Sequence, residues 1–325
     1  MKRAAALLVI VGVSWGCLVV SAAPPKGHVY LDPKQAGPDY EAQGEYVGET
    51  VDGEKWGAQV IALGDGKFRV VGYKGGLPGD GWSRGDEQVS AEGGRIDGVV
   101  TIEGPEFVTK IVDGDLIVEN FDGDEVARLK KTHRKSPTLG KKPPKNAIVL
   151  FDGSSADEFE NGKIVMEKLL AANCWTKRKF GDHTLHVEFR TPFKPKARGQ
   201  ARGNSGVYVQ SRYEIQVLDS FGLSGENNEC GGIYKIAAPI VNMCYPPLTW
   251  QTYDIDFTAA RYDKDGNKTA NARVTIRHNG VVIHEDLELP HATPGRHGEG
   301  PAPDGLYLQG HGNPVVYRNI WVVER

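Results

Sequence analysis

Thr184-Leu185-His186-Val187-Glu188-Phe189-Arg190 alternates apolar with polar side chains, so Leu, Val and Phe project to one side of an extended chain and His, Glu and Arg to the other. That period of two belongs to a strand. A strand with one apolar and one polar face suits a two-layer antiparallel sandwich, whose inner faces form the core. The pattern recurs, separated by turn residues, in SGVYVQ from Ser205, YEIQVLD from Tyr213, QTYDIDFTA from Gln251, ARVTIRHNG from Ala272, VVIHEDLEL from Val281, GLYLQGHG from Gly305 and VVYRNIWVVE from Val315. Only EKLLAANC, around Leu169, reads as a short helix. The expected class is all-β. No repeat of propeller or solenoid length is visible.

Upstream the chain is punctuated by Asp-Gly pairs at Asp52, Asp65, Asp80, Asp97, Asp113 and Asp122. Between them lie strand-length runs rich in Val and Ile, among them WGAQVIAL, KFRVVGY, GVVTI, FVTKIV and DLIVEN. Asp-Gly supplies the positive backbone angles that tight hairpins need. Residues 27–130 are therefore expected to form a small all-β domain. Residues 131–146, basic and Pro-containing, read as an exposed linker to which no binding role is given. The second domain spans 147–325.

The first 23 residues have a cationic start, an apolar stretch and small residues before Pro24. This is the layout of a cleaved export signal, which places the protein in the periplasm or outside the cell. A membrane anchor and a lipidated Cys17 are the competing readings. Cleavage leaves Cys174, Cys230 and Cys244; Cys230 and Cys244 are the nearest plausible disulfide pair, and three buried free thiols are the alternative. The length of 325 residues has room for two domains. The 41 Gly and 19 Pro imply frequent turns. With 42 acidic and 39 basic residues the chain lacks the basic excess of a nucleic-acid binder, and no second apolar stretch long enough to span a bilayer is present.

The densest polar run extends from Arg202 to Asp219, through Asn204, Tyr208, Glu214 and Gln216. Period two puts Glu214 and Gln216 on one face, opposite Ile215 and Val217. On a curved sheet such a face lines a sugar-sized groove, where amides and carboxylates bind hydroxyls and a carboxylate moves a proton. A solvated outer face is the bland alternative. Asn204, Tyr208, Gln216 and Asp219 are the substrate-binding candidates of this run. In Leu308-Gln309-Gly310-His311-Gly312-Asn313, Gln309 and His311 share a face, and His titrates near neutrality. Arg318 is a candidate for holding a carbonyl oxygen or enolate, or for a cross-strand ion pair. Asp263-Lys-Asp265-Gly-Asn267 lacks the glutamate and glycine of a calcium loop and reads as a hairpin turn. No cofactor or metal is predicted, with a divalent ion such as calcium left as the open alternative.

LFDG at Leu150, FGDHTLHVEFR, NSGVYVQSRYEIQVLDS, CGGIY at Cys230, WQTYDIDF at Trp250, NGVVIHED at Asn279 and LQGHGNPVVYRNIWV at Leu308 together resemble the 3-keto-disaccharide hydrolase family, over Ala147 to Arg325. QVIALGDGKF and GGLPGDGW are similar to the small β domain that precedes it in planctomycete-type secreted proteins. The resemblance implies a concanavalin-like jelly-roll sandwich and cleavage of glycosides oxidised to a ketone at sugar carbon 3. It also implies a base, Glu214 or His311, and donors for an enolate oxygen among Arg318, Gln216 and Asn204. Many members read Leu-Gln-Asp-His-Gly where this chain has Gly310. The competing functions are a noncatalytic lectin-like module, with Trp82, Tyr208 and Trp250 as stacking platforms, and a conventional endoglucanase, for which Gln216 stands where a second acid is wanted.

Overall fold

The Asp-Gly pairs build a barrel. In the computed structural model, which describes residues 29–325, eight antiparallel strands run from Gly44–Thr50 (β1) through Lys55–Gly64 (β2), Lys67–Lys74 (β3), Gln88–Ile96 (β4), Val99–Glu103 (β5), Val108–Val112 (β6) and Asp115–Glu119 (β7) to Glu125–Thr132 (β8). They close in the order β1-β8-β7-β6-β5-β4-β3-β2. The proposed export signal lies outside the described residues. At one end of the barrel, Asp65-Gly66, Asp97-Gly98 and Asp113-Gly114 each place two successive residues at positive φ, the requirement of a two-residue hairpin whose twist matches its strands. A short helix, Gly37–Ala42 (α1), plugs this same end. Its Asp39 carboxylate accepts the Gly66 amide at 3.0 Å, and the following Gln43 accepts the Ala62 amide at 3.0 Å.

The second unit is the expected jelly-roll β-sandwich. Its strands are Ile148–Phe151 (β9), Phe159–Glu160 (β10), Ile164–Val165 (β11), Leu169–Ala171 (β12), Cys174–Thr176 (β13), His183–Arg190 (β14), Ser205–Val209 (β15), Tyr213–Val217 (β16), Gln251–Thr258 (β17), Ala272–His278 (β18), Val281–Leu289 (β19), Tyr307–Leu308 (β20) and Val316–Glu324 (β21). The large sheet runs β11-β12-β21-β14-β17-β18-β19, with β9 also on β21, and the small sheet runs β10-β13-β20-β15-β16. Leu185, Val187 and Phe189 of the opening alternation face the buried core between the sheets, together with Val207, Ile215 and Val217 of the small sheet. Ile61, Val71 and Tyr73, on the outer side of β2 and β3, belong to that same cluster, so the barrel packs its outer wall into the sandwich core while its interior forms a second core of its own.

Two expectations are corrected and one open alternative is resolved. EKLLAANC is not helical: Leu170 pairs with Tyr317 of β21 and is fully buried, and Asn173 turns at φ 71°. Burial against a strand overrides the helix preference of Leu and Ala. The segment 131–146 is not a free linker. Ser136 and Thr138 hydrogen-bond to Thr252 at 2.6 and 2.9 Å, Thr138 donates to Asp254 at 2.7 Å, and the Gly140 amide donates to Glu188 at 2.5 Å. It is a strap across the outer face of the large sheet, where His186, Glu188 and Asp254 give it acceptors and charge. The cysteine alternatives resolve to three free, buried thiols.

Candidate functional site

Strands β15 and β16 form a hairpin whose tip, Gln210-Ser211, holds φ of 50° and 49° without a glycine. Such angles cost a side-chain-bearing residue of order 1 kcal/mol or more each. They are fixed from outside: Gln210 donates to Phe180 O at 2.9 Å, Ser211 to Gly305 O at 2.9 Å, and Arg212 to Gln210 Oε1 at 3.1 Å. The three-residue turn, Gln210 to Arg212, sets the register that pairs Tyr208 with Glu214 and Gly206 with Gln216. All four lie on the face turned away from Val207, Val209, Ile215 and Val217.

Glycine at 206 makes room for the acid, because a Cβ there would stand 2.5 Å from Glu214 Oε1. Gly206→Ala is therefore expected to push the carboxylate aside and cost about a hundredfold in turnover with the fold intact, the usual effect of a displacement near 1 Å. Undiminished kinetics alongside an unchanged circular dichroism spectrum would contradict this geometry.

Glu214 and Gln216 share a cleft of about 190 Å³ with Gln200, Asn204, Asn228, Tyr234, Gln309 and His311. Its amides are oriented by acceptors that cannot be reversed. Asn228 O accepts from Gln200 Nε2 at 2.8 Å and from Gln216 Nε2 at 3.2 Å. Gln200 Oε1 then accepts from Asn204 Nδ2 at 2.5 Å and Gln216 Nε2 at 3.0 Å. On the other wall Tyr208 donates to Pro294 O and accepts from Gln309 Nε2, both at 3.2 Å. The amide nitrogens of Gln200, Asn204, Gln216 and Gln309 each have an acceptor, and Asn204 Oδ1, Gln216 Oε1 and Gln309 Oε1 remain buried without a donor in the protein. Buried acceptors of this kind call for a ligand rich in hydroxyl groups.

Burial lifts the Glu214 carboxyl to about 7, partly opposed by the neighbouring Tyr208 hydroxyl. A carboxylate poised there can take a proton at neutral pH. It is the only acid among the residues that line the cleft. Beside it, Tyr307 packs on Tyr208 at 5.4 Å, and the Arg296 guanidinium lies 4.0 Å over Tyr307 and 4.7 Å over Trp175.

The structure brings Asn204, Glu214, Gln216, Gln309 and His311 together at one cleft, with Tyr208 behind Glu214. His311 is exposed at the rim. Two candidates lie elsewhere. Arg318 sits on the large sheet, donating to Glu188 at 2.6 Å and stacked 3.9 Å over Trp250, because the chain crosses from the small to the large sheet between Leu308 and Val316. Asp219 lies past the end of β16, where the alternation stops, and is paired with Arg202 at 2.7 Å in the interior. The stacking platforms are also occupied: Trp82 is packed edge-on against Tyr73, Trp250 carries Arg318, and Tyr208 is 1 % exposed. Sequence reasoning missed Gln200, Asn228 and Tyr234, which reach the site from irregular segments without periodicity. A Cβ at Gly310 would come 2.4 Å from Asn173 Cβ, so Asn173 fills the space beside this glycine.

Fold and cleft together define a jelly-roll protein with a small polar groove built for a hydroxyl-rich ligand. The chain belongs to the 3-keto-alpha-glucoside-1,2-lyase-like family, whose model matches residues 146–323. A protein from Parabacteroides distasonis, described as a "putative glycosyl hydrolase", has a solved structure that matches with TM-score 0.52 and 32% identity over 56% of this chain and 85% of its own. A second from that organism, with the same description, matches with TM-score 0.40 and 20% identity over 55% of this chain and 99% of its own. No curated protein matches. Family and first neighbour support a carbohydrate-active enzyme.

Proposed function

We propose that the protein is an exported enzyme that cleaves glycosides carrying a ketone at sugar carbon 3, with Glu214 as the base. The observation that carries this reading is a single carboxyl, lifted to about 7, in a cleft with three buried acceptors awaiting hydroxyl donors. Ordinary glycosidases place two carboxylates across the scissile bond. One suffices here, because the substrate's own ketone acidifies the hydrogen on carbon 2 and no cofactor is called for. Glu214 takes that proton, the electron pair forms the enolate, and its collapse expels the anomeric substituent, which leaves with a proton from His311 or water. Water then adds across the resulting double bond to complete net hydrolysis. Arg296, in a loop whose guanidinium stacks over Tyr307 of the small sheet, takes the place of Arg318 as the candidate cation on this side of the sandwich.

Purified protein is expected to release aglycone from a 3-keto-glucoside and to leave the parent glucoside intact. Equal turnover of both would remove the elimination mechanism, and saturable sugar binding without product would favour the lectin-like alternative.

A further inference from the structure

Opposite the end plugged by α1, the barrel is open. Its interior side chains change in size along the axis: Tyr46 and Phe68 fill the plugged half, whereas Ala58, Gly72 and Ala127 line the other. Ala58 and Gly72 are directly paired across β2 and β3, so the two smallest groups meet and the wall recedes. The result is a cup of about 330 Å³, walled by Trp56, Val89, Phe107 and Val118. Closed eight-stranded barrels are just wide enough to hold one small ligand, and pockets of this volume are at the lower end of those that take small molecules.

A second observation points to an occupant. Trp56 lies against the bare backbone of Gly72, where a Cβ would come within 3.5 Å of its ring, and its indole Nε1 is shut off from solvent without an acceptor. The apolar wall supplies none. At the mouth stand Glu54, Glu87 and Glu106, and Lys74 alone bridges the first two, at 3.3 and 3.4 Å. An acidic rim over an apolar cup disfavours anions.

We propose that the open half of the barrel binds one uncharged, ring-containing apolar molecule of bicyclic size that offers a hydrogen-bond acceptor to Trp56. The site is separate from the sandwich cleft, so its occupancy does not depend on the glycoside reading.

The test uses the full chain and three probes of one size: 2-naphthol, naphthalene and the anion 2-naphthoate, followed by tryptophan fluorescence and calorimetry. One equivalent of 2-naphthol is expected to bind with Kd of order 10 µM, and 2-naphthoate at least about tenfold more weakly. Trp56→Phe should erase the preference for 2-naphthol over naphthalene. Ala58→Leu and Ala127→Leu, each filling the cup, should weaken 2-naphthol by about tenfold or more while melting temperature and sandwich-cleft turnover stay unchanged. Two different filling variants guard against one that fails to fold. Absence of saturable binding up to about 1 mM, a loss of less than 1.4 kcal/mol, or unchanged binding in both folded Leu variants would overturn the proposal. Self-association through the cup, unaffected by 2-naphthol, would assign it to a second copy of the chain and overturn it as well.

Discussion

Glu214→Gln is expected to slow turnover of a 3-keto-glycoside by about a thousandfold, within the range that general-base catalysis supplies, and at the same time to stabilise the protein above neutral pH. The two effects have one cause. In the folded protein burial holds the carboxyl protonated up to about 7, against 4.5 for the free group. Between those values the folded state binds more protons than the unfolded chain, so stability declines as pH rises. Above about 7 the ionised carboxylate costs the fold about 3 kcal/mol, which glutamine avoids while keeping size and hydrogen bonds. The variant should therefore melt several degrees higher than wild type at pH 8 and no higher at pH 4, while wild-type kcat/KM rises along a limb centred near pH 7. Thermal unfolding at the two pH values and a pH–rate profile read both effects. Equal melting at pH 8, or a variant with full turnover, would take Glu214 out of the role of base. A residue that merely braces the sheet would lose stability on substitution.

How far the sequence reaches is set by periodicity. Glu214 and Gln216 were legible as neighbours because a strand places alternate residues on one face, and Leu185, Val187 and Phe189 were legible as core for the same reason. Periodicity also predicts the barrel's strands, but not their closure, since β1 meets β8 through a pairing of residues far apart in the chain. It fails where strands end. Arg318 is seven residues beyond His311, yet it belongs to the other sheet: Gly310, Gly312 and Asn313-Pro314 signal a turn, but not that the chain changes sheets between Leu308 and Val316. Gln200, Asn228 and Tyr234 reach the cleft from turns whose path depends on contacts such as Gln200 with Asn228 O. The supposed linker looked solvated because its charges are visible in sequence and its acceptors on the large sheet are not.

The acid that sequence placed beside the substrate yields the opposite signature. Asp219→Ala is expected to lower stability by about 3–5 kcal/mol, the cost of leaving one partner of a buried ion pair alone, and to leave kcat within about twofold. The partner is Arg202, 6 % exposed, whose Nε donates to Asp219 Oδ2 at 2.7 Å while Nη1 reaches Pro195 O at 3.0 Å and Nη2 reaches Ala62 O of the barrel at 3.3 Å. Burial raises the Asp219 carboxyl and Arg202 opposes the rise, so the pair stands or falls together. Removing the carboxylate strands a guanidinium that cannot reach water without pulling away from β2, and the loosening should spread to the contact between barrel and sandwich. The double variant Arg202→Met with Asp219→Leu, which removes both charges and keeps the volume, should recover most of the loss. Denaturant unfolding of the three proteins with steady-state kinetics on the same samples measures both quantities. A large fall in kcat in the folded Asp219→Ala protein would return Asp219 to the reaction, and an unaltered midpoint would show that the pair does not hold the two units together.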